Sequence, residues 1–135
     1  MATILLVDDD DGVRTFVRRA LEIDGFAVHE AADGAAALDL LRGPAREADL
    51  VLSDIVMPVM DGIALALNVA RERPELPVML MTGYANQQER AHGLDEIVED
   101  VVLKPFTLAD IRARVAAVVA ASGNANPAGA PSAGH

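Results

Sequence analysis

Cysteine is absent from this chain, which excludes disulfides and thiol chemistry. Tryptophan is absent too, and aromatic residues make up only 3% of the sequence, so the core must be built from Ala, Val, Leu and Ile. No apolar run approaches the roughly 18–20 residues that a membrane-spanning helix needs. Basic residues are scarce: 11 Lys and Arg stand against 21 Asp and Glu, a net charge of −10. Free nucleic-acid binding depends on Lys and Arg neutralising phosphates, so this balance argues against a nucleic-acid partner. An acidic surface suits solubility and steering toward the basic surface of a partner protein.

What the chain does have is apolar content, 52% over 135 residues, enough for the core of one domain. The first strand pattern starts almost at the N-terminus, so no signal peptide is expected. The expected location is the cytoplasm, with no membrane association.

Four short apolar runs each stop at a polar residue able to do phosphate chemistry. Ile4-Leu5-Leu6-Val7 stops at Asp8 and Asp9, and Leu50-Val51-Leu52 runs through Ser53 to Asp54. Val78-Met79-Leu80-Met81 stops at Thr82, and Val101-Val102-Leu103 stops at Lys104-Pro105. Phe26 to Glu30 reads as a fifth, less apolar strand.

Helical patterns separate the strands. Val13, Phe16, Val17, Ala20 and Leu21 follow the i, i+3, i+4, i+7 spacing, and Gly25 ends that helix. Asp33-Gly34 opens a second helix that ends at Gly43-Pro44. Asp61 caps a third, with Ile63, Ala66, Leu67 and Ala70 facing inward. Ala85 to Asp100 gives the weakest pattern, a short polar helix followed by an acidic segment. Thr107-Leu108-Ala109-Asp110 resembles a capping box and starts a last helix with Leu108, Ile111, Val115 and Val118 buried.

Five alternations of strand and helix predict an α/β fold, a parallel sheet covered by helices on both faces. Right-handed crossovers narrow its topology. The four polar strand ends then lie along one edge, where open α/β sheets place their sites. From Ser122 the composition shifts to Ser, Gly, Asn, Ala and Pro, which predicts a disordered tail over 122–135 after a domain over 1–121.

Asp8 to Asp11 is a run of like charges that a divalent cation would relieve, and Mg²⁺ prefers such oxygen ligands. An EF-hand is excluded, since that loop alternates its ligands over twelve positions. A carboxylate such as Asp54 at a strand end can be a metal ligand or a nucleophile toward phosphorus. A hydroxyl at Thr82 and an ammonium at Lys104 suit phosphoryl oxygens.

These residues make the chain resemble the receiver domain of two-component response regulators, the CheY-like family, over residues 2 to about 121. The motifs are I-L-L-V-D-D-D, S-D-I-V-M-P-V-M-D-G, M-T-G-Y-A and L-K-P-F, and Thr82 and Lys104 are 22 residues apart. The resemblance implies a doubly wound, flavodoxin-like (βα)5 fold with five parallel strands in the order 2-1-3-4-5. It implies Asp54 as the phosphoacceptor, Mg²⁺ held by Asp9, Asp54 and the backbone carbonyl of Val56 with help from Asp8, and Thr82 and Lys104 on the phosphoryl group. It also implies a cis Lys104-Pro105 bond, a histidine kinase or histidine phosphotransferase as partner, and no turnover of a free metabolite.

Two positions depart from the family's pattern. Val101 stands where an aromatic switch residue is usual, and Tyr84 is the candidate to replace it. Val56 cannot hydrogen-bond a hydrolytic water, which predicts a long-lived acyl phosphate. The stretch from Met81 to Ile111 is similar to the CpdR family of stand-alone receivers, which implies ClpX or the ClpXP protease as a further partner in cell-cycle proteolysis. The chain itself is expected to be a monomer or weak dimer, with Gln87 to His92 as its partner surface. Two rival readings are a constitutive interaction module with a vestigial site and a Mg²⁺-dependent phosphohydrolase. The second lacks its usual acid, because Val56 occupies the position two residues after the nucleophile.

Overall fold

The computed structural model describes residues 2–122. Ser122 caps the last helix, and the remainder of the predicted tail lies outside the described residues. The element order is β1 (Thr3–Val7), α1 (Asp11–Ile23), β2 (Ala27–Ala31), α2 (Gly34–Leu41), β3 (Leu50–Asp54), α3 (Gly62–Glu72), β4 (Val78–Thr82), α4 (Ala85–His92), β5 (Asp100–Leu103) and α5 (Leu108–Ala121).

All strand pairs are parallel and the sheet order is β2-β1-β3-β4-β5, as expected. Side chains alternate along each strand, so the sheet has two apolar faces. Leu5, Val7, Val51 and Leu80 pack beneath α2, α3 and α4. Ile4, Leu6, Leu52, Met79, Met81 and Val102 pack beneath α1 and α5. Strand order reverses direction between β1 and β3, and that switch point opens a crevice at the carboxyl ends of the strands.

Side-chain caps start four helices. Asp10 accepts from the N–H of Gly12 and Val13, Asp33 from Ala36, Asp61 from Ala64 and Thr107 from Asp110. Only half of the predicted capping box forms: the short Asp110 carboxylate turns instead to Arg114 Nε at 3.1 Å. In α4 the N-cap is Tyr84, with no side-chain cap bond.

The predicted helix stripes need correction at their margins. Phe16, Leu67 and Leu108 are exposed, while Leu65 and Val119 are buried. Periodicity fixes the stripe to within about one residue, and the angle at which each helix crosses the sheet decides which flank is covered. The β2 strand runs one residue later than predicted, and Asp100 belongs to β5 and not to the acidic segment before it.

Candidate functional site at the sheet edge

Register places the polar strand ends together. Val7 of β1 pairs with Ser53 of β3, so Asp8 and Asp54 leave neighbouring strands at the same level. Asp54 pairs with Met81, one residue before Thr82, and Thr82 pairs with Leu103, one residue before Lys104. The Lys104 N–H donates to the Thr82 carbonyl at 2.8 Å, which carries the β4–β5 ladder up to the edge. The Lys104-Pro105 peptide is cis, as the family resemblance implied.

Lys104 Nζ lies 3.3 Å from Asp8 Oδ2 and 3.4 Å from Asp54 Oδ1. Asp8 is fully buried and the Asp54 side chain is 13% exposed, whereas Asp9 is exposed. Asp8 Oδ1 also accepts from the Asp10 N–H at 2.9 Å. Asp54 Oδ1 accepts from the N–H of Ile55 at 3.0 Å. Burial holds the Asp54 carboxyl above the ordinary carboxylate range, at about 6; the Lys104 ammonium opposes the rise and the Asp8 carboxylate adds to it.

One carboxylate oxygen from each of Asp8, Asp9 and Asp54 lies within 4.8 Å of the other two. Three acids face one ammonium here, so the donor set is oxygen-only and undercompensated in charge. That chemistry fits a hard divalent cation such as Mg²⁺.

Thr82 is fully buried, and its Oγ1 accepts the Tyr84 N–H at 3.1 Å. Tyr84 itself is 59% exposed, so its ring does not fill the interior position of a switch aromatic. Val101 is half-buried against the core on the α3 and α4 side of the sheet. Val56 follows Asp54 in the loop before α3, with its side chain half exposed beside the site. On α4, Gln87 and Gln88 are half-buried and Asn86, Glu89 and Arg90 are exposed.

Four contributors were not singled out by sequence reasoning as parts of the site. Ser53 is buried and its Oγ donates to the Asp54 carbonyl at 2.8 Å. Gly62 packs against that same carbonyl so closely that a Cβ would overlap it. Val59 holds φ at +69°, a left-handed conformation in the loop that connects Asp54 to α3. Arg14 reaches back from α1 to the Asp8 carbonyl at 2.6 Å. Ser53 beside Asp54 and Gly62 beside Asp61 were the readable signals; nothing local marks Val59 or Arg14.

Residues 4–116 match the family described as the response regulator receiver domain. The response regulator MprA of Mycobacterium sp. (strain KMS) is 37% identical over 116 residues, which cover 86% of this chain and 50% of MprA. The chain thus spans about half the length of the curated relatives it matches. Among solved structures, a CheY-like receiver domain protein from Methanospirillum hungatei aligns with a TM-score of 0.81 at 26% identity, covering 90% of this chain and 96% of that one. The receiver domain of NtrX from Brucella abortus aligns with a TM-score of 0.75 at 30% identity, covering 86% and 96%. With the sheet order, the acidic triad and the matched span in agreement, this chain belongs to the response regulator receiver domain family.

Proposed function

We propose that Asp54 accepts a phosphoryl group from a phosphohistidine and that the modified site changes a protein-binding surface. The observation that carries this reading is the convergence of the Lys104 ammonium with the Asp8 and Asp54 carboxylates at the sheet's switch point. An acidic triad of this kind is typical of the Mg²⁺ site of a receiver domain, and a receiver domain implies a partner histidine kinase. A phosphotransferase is the other donor of the same chemistry.

In this scheme an Asp54 carboxylate oxygen attacks phosphorus in line. The nitrogen–phosphorus bond breaks, and the imidazole leaves with the electron pair and takes a proton. Lys104, freed from its pairing with Asp54, turns to one phosphoryl oxygen. The Thr82 hydroxyl donates to another. A Mg²⁺ ion would be held by Asp8, Asp9, Asp54 and the Val56 backbone carbonyl, and when bound it supplies charge neutralisation of the phosphoryl oxygens. Water later cleaves the acyl phosphate and returns Asp54 and inorganic phosphate. The valine at position 56 offers that water no hydrogen bond, so the acyl phosphate is long-lived; Val56→Asn should shorten its lifetime.

The decisive experiment is intact-mass measurement after incubation with Mg²⁺ and acetyl phosphate. The reading expects a gain of one phosphoryl group that Asp54→Ala abolishes. No gain with any small phosphodonor or phosphohistidine protein would overturn it and favour a constitutive module. Turnover of a phosphate ester would instead favour the hydrolase.

The finer assignment to a CpdR-like regulator of ClpXP is supported by the Met81–Ile111 stretch alone. It expects the unmodified chain to bind the ClpX unfoldase and phosphorylation to weaken that binding; equal binding by both forms would remove it. The response surface in either case is α4 and β5, which adjoin Thr82 and Lys104.

A further inference from the structure

Arg14 lies on the first turns of α1 and is largely buried, with a side chain 16% exposed. Its guanidinium joins three separate segments. Nη1 donates to the Asp8 carbonyl at 2.6 Å, Nη2 to Asp11 Oδ1 at 2.6 Å, and Nε to Glu30 Oε1 on β2 at 3.0 Å. The second oxygen of Glu30 is taken by Arg18 Nη1 at 2.9 Å, so the acceptor on the edge strand is itself held.

The consequence falls on Asp9. Asp8 is fixed at its carboxylate by the Asp10 N–H and by Lys104. Asp9 is exposed, and among the described residues its carboxylate accepts no hydrogen bond. With no side-chain partner to hold it, the backbone on either side sets where its Cα–Cβ bond leaves the chain, and so which positions the carboxylate can reach. The peptide that joins Asp8 to Asp9 is the one whose carbonyl Arg14 holds, and Asp10 beyond it is committed to capping α1.

We propose that Arg14 is a positioning residue for the divalent cation: it fixes the Asp8–Asp9 peptide and so aims the Asp9 carboxylate at the site. This rests on the reading of Asp8, Asp9 and Asp54 as a Mg²⁺ site. It differs from a charge effect in sign. A positive charge beside a cation site opposes binding, so electrostatics alone predicts that removing it tightens Mg²⁺. Loss of positioning predicts the opposite. Lysine distinguishes the two further, because it keeps the charge but lacks the planar fork that spans three acceptors.

The test is a calorimetric Mg²⁺ titration of the metal-free full chain, with urea midpoints in EDTA as the record of folding. Arg14→Gln and Arg14→Lys should each weaken Mg²⁺ binding by about 10-fold, the scale of losing a partner that orients a metal ligand. Arg112→Gln removes the same charge from the Asp24 pair between α1 and α5, away from the site, and should leave Mg²⁺ affinity within about 2-fold of wild type. Wild-type or tighter binding by Arg14→Gln overturns the proposal, as does full affinity in Arg14→Lys. Should Arg14→Gln fail to fold, Arg14→Lys alone decides on the same criterion. A wild-type protein that binds no Mg²⁺ overturns the site reading and the role of Arg14 together, whereas wild-type binding with unchanged variants overturns only the latter.

Discussion

Helices α1 and α4 both begin just after a residue of the site, yet they are held to the sheet very differently. The start of α1 carries an Asp10 cap, its inner face buries Val17, Ala20 and Leu21, and its flanks are tied by Arg14 and Arg18 to Glu30. By contrast, α4 starts without a side-chain cap. Among the described side chains of α4, Ala91 is the fully buried contact with the core, and the ion pair of Arg90 with Asp61 spans 3.8 Å. Two of the acids that would hold a cation, Asp8 and Asp9, thus stand on the firmly packed side, and the buried Thr82 hydroxyl stands beside the lightly packed one. Local opening follows this kind of difference, because few apolar contacts mean a small free-energy cost of release. Under the proposed phosphorylation of Asp54, this arrangement would keep the acidic site rigid while the α4 surface moves at little cost.

Four substitutions test that contrast. Leu21→Ala removes a fully buried side chain from α1 and should cost about 3–4 kcal/mol of stability. Hydrogen exchange of α1 amides should accelerate with the global loss, while α4 amides, expected to exchange by local opening, should change little. Equal acceleration in both helices would show that they unfold as one unit and would remove the contrast.

Asp54→Asn tests the strain that burial places on the reaction centre. The Asp54 carboxyl titrates at about 6 in the folded protein, above its value of 3.8 when unfolded. The native state therefore binds this proton more tightly than the unfolded chain does. Stability contributed by this group is intact below pH 4 and is lost as pH rises through 6, by about 1–2 kcal/mol at pH 7 once solvent screening of a partly enclosed carboxyl is allowed for. Asparagine stays neutral, so the variant should gain stability over wild type at pH 7 and lose that gain toward pH 4. Urea midpoints from pH 4 to 8 in EDTA read this directly, and a pH-independent difference would contradict it.

Val59→Gly sharpens the comparison from the loop between the two sides. A β-branched residue at φ +69° is strained, and its 84% exposure means little packing is lost with the side chain. Relief of that strain exceeds glycine's added chain entropy, for a net stabilisation of about 1 kcal/mol. A destabilised variant would mean that the loop conformation is not the source of strain.

Tyr84→Asp supplies α4 with the cap it lacks. The expected gain is about 0.5–1 kcal/mol, seen as slower exchange of the first α4 amides. If those amides do not slow, absence of a cap is not what leaves α4 lightly held.

Much of the site was legible before any coordinates. Each apolar run ends at a residue of distinct chemistry, and a parallel sheet leaves those ends along one edge, where the structure has Asp8, Asp54, Thr82 and Lys104. The less legible parts depend on contacts between segments far apart in sequence. Phe16 fits a helical period as well as Val17 does, and only the packing of α1 on the sheet shows that Val17 is covered and Phe16 is not. Tyr84 is the candidate by position for the switch aromatic missing at Val101; the turn that gives its N–H to Thr82 leaves its ring outside in the unmodified chain.

The alternation of strand and helix, the four polar strand ends and an acidic set suited to a cation can all be read from residue order, because hydrophobic period and residue chemistry are local properties. Residue order does not show that Lys104 Nζ sits between Asp8 and Asp54, that burial lifts the Asp54 carboxyl to about 6, or that Arg14 crosses from α1 to hold the Asp8 carbonyl. Those facts depend on strand order, register and the depth at which each side chain is enclosed, which arise when distant segments pack together.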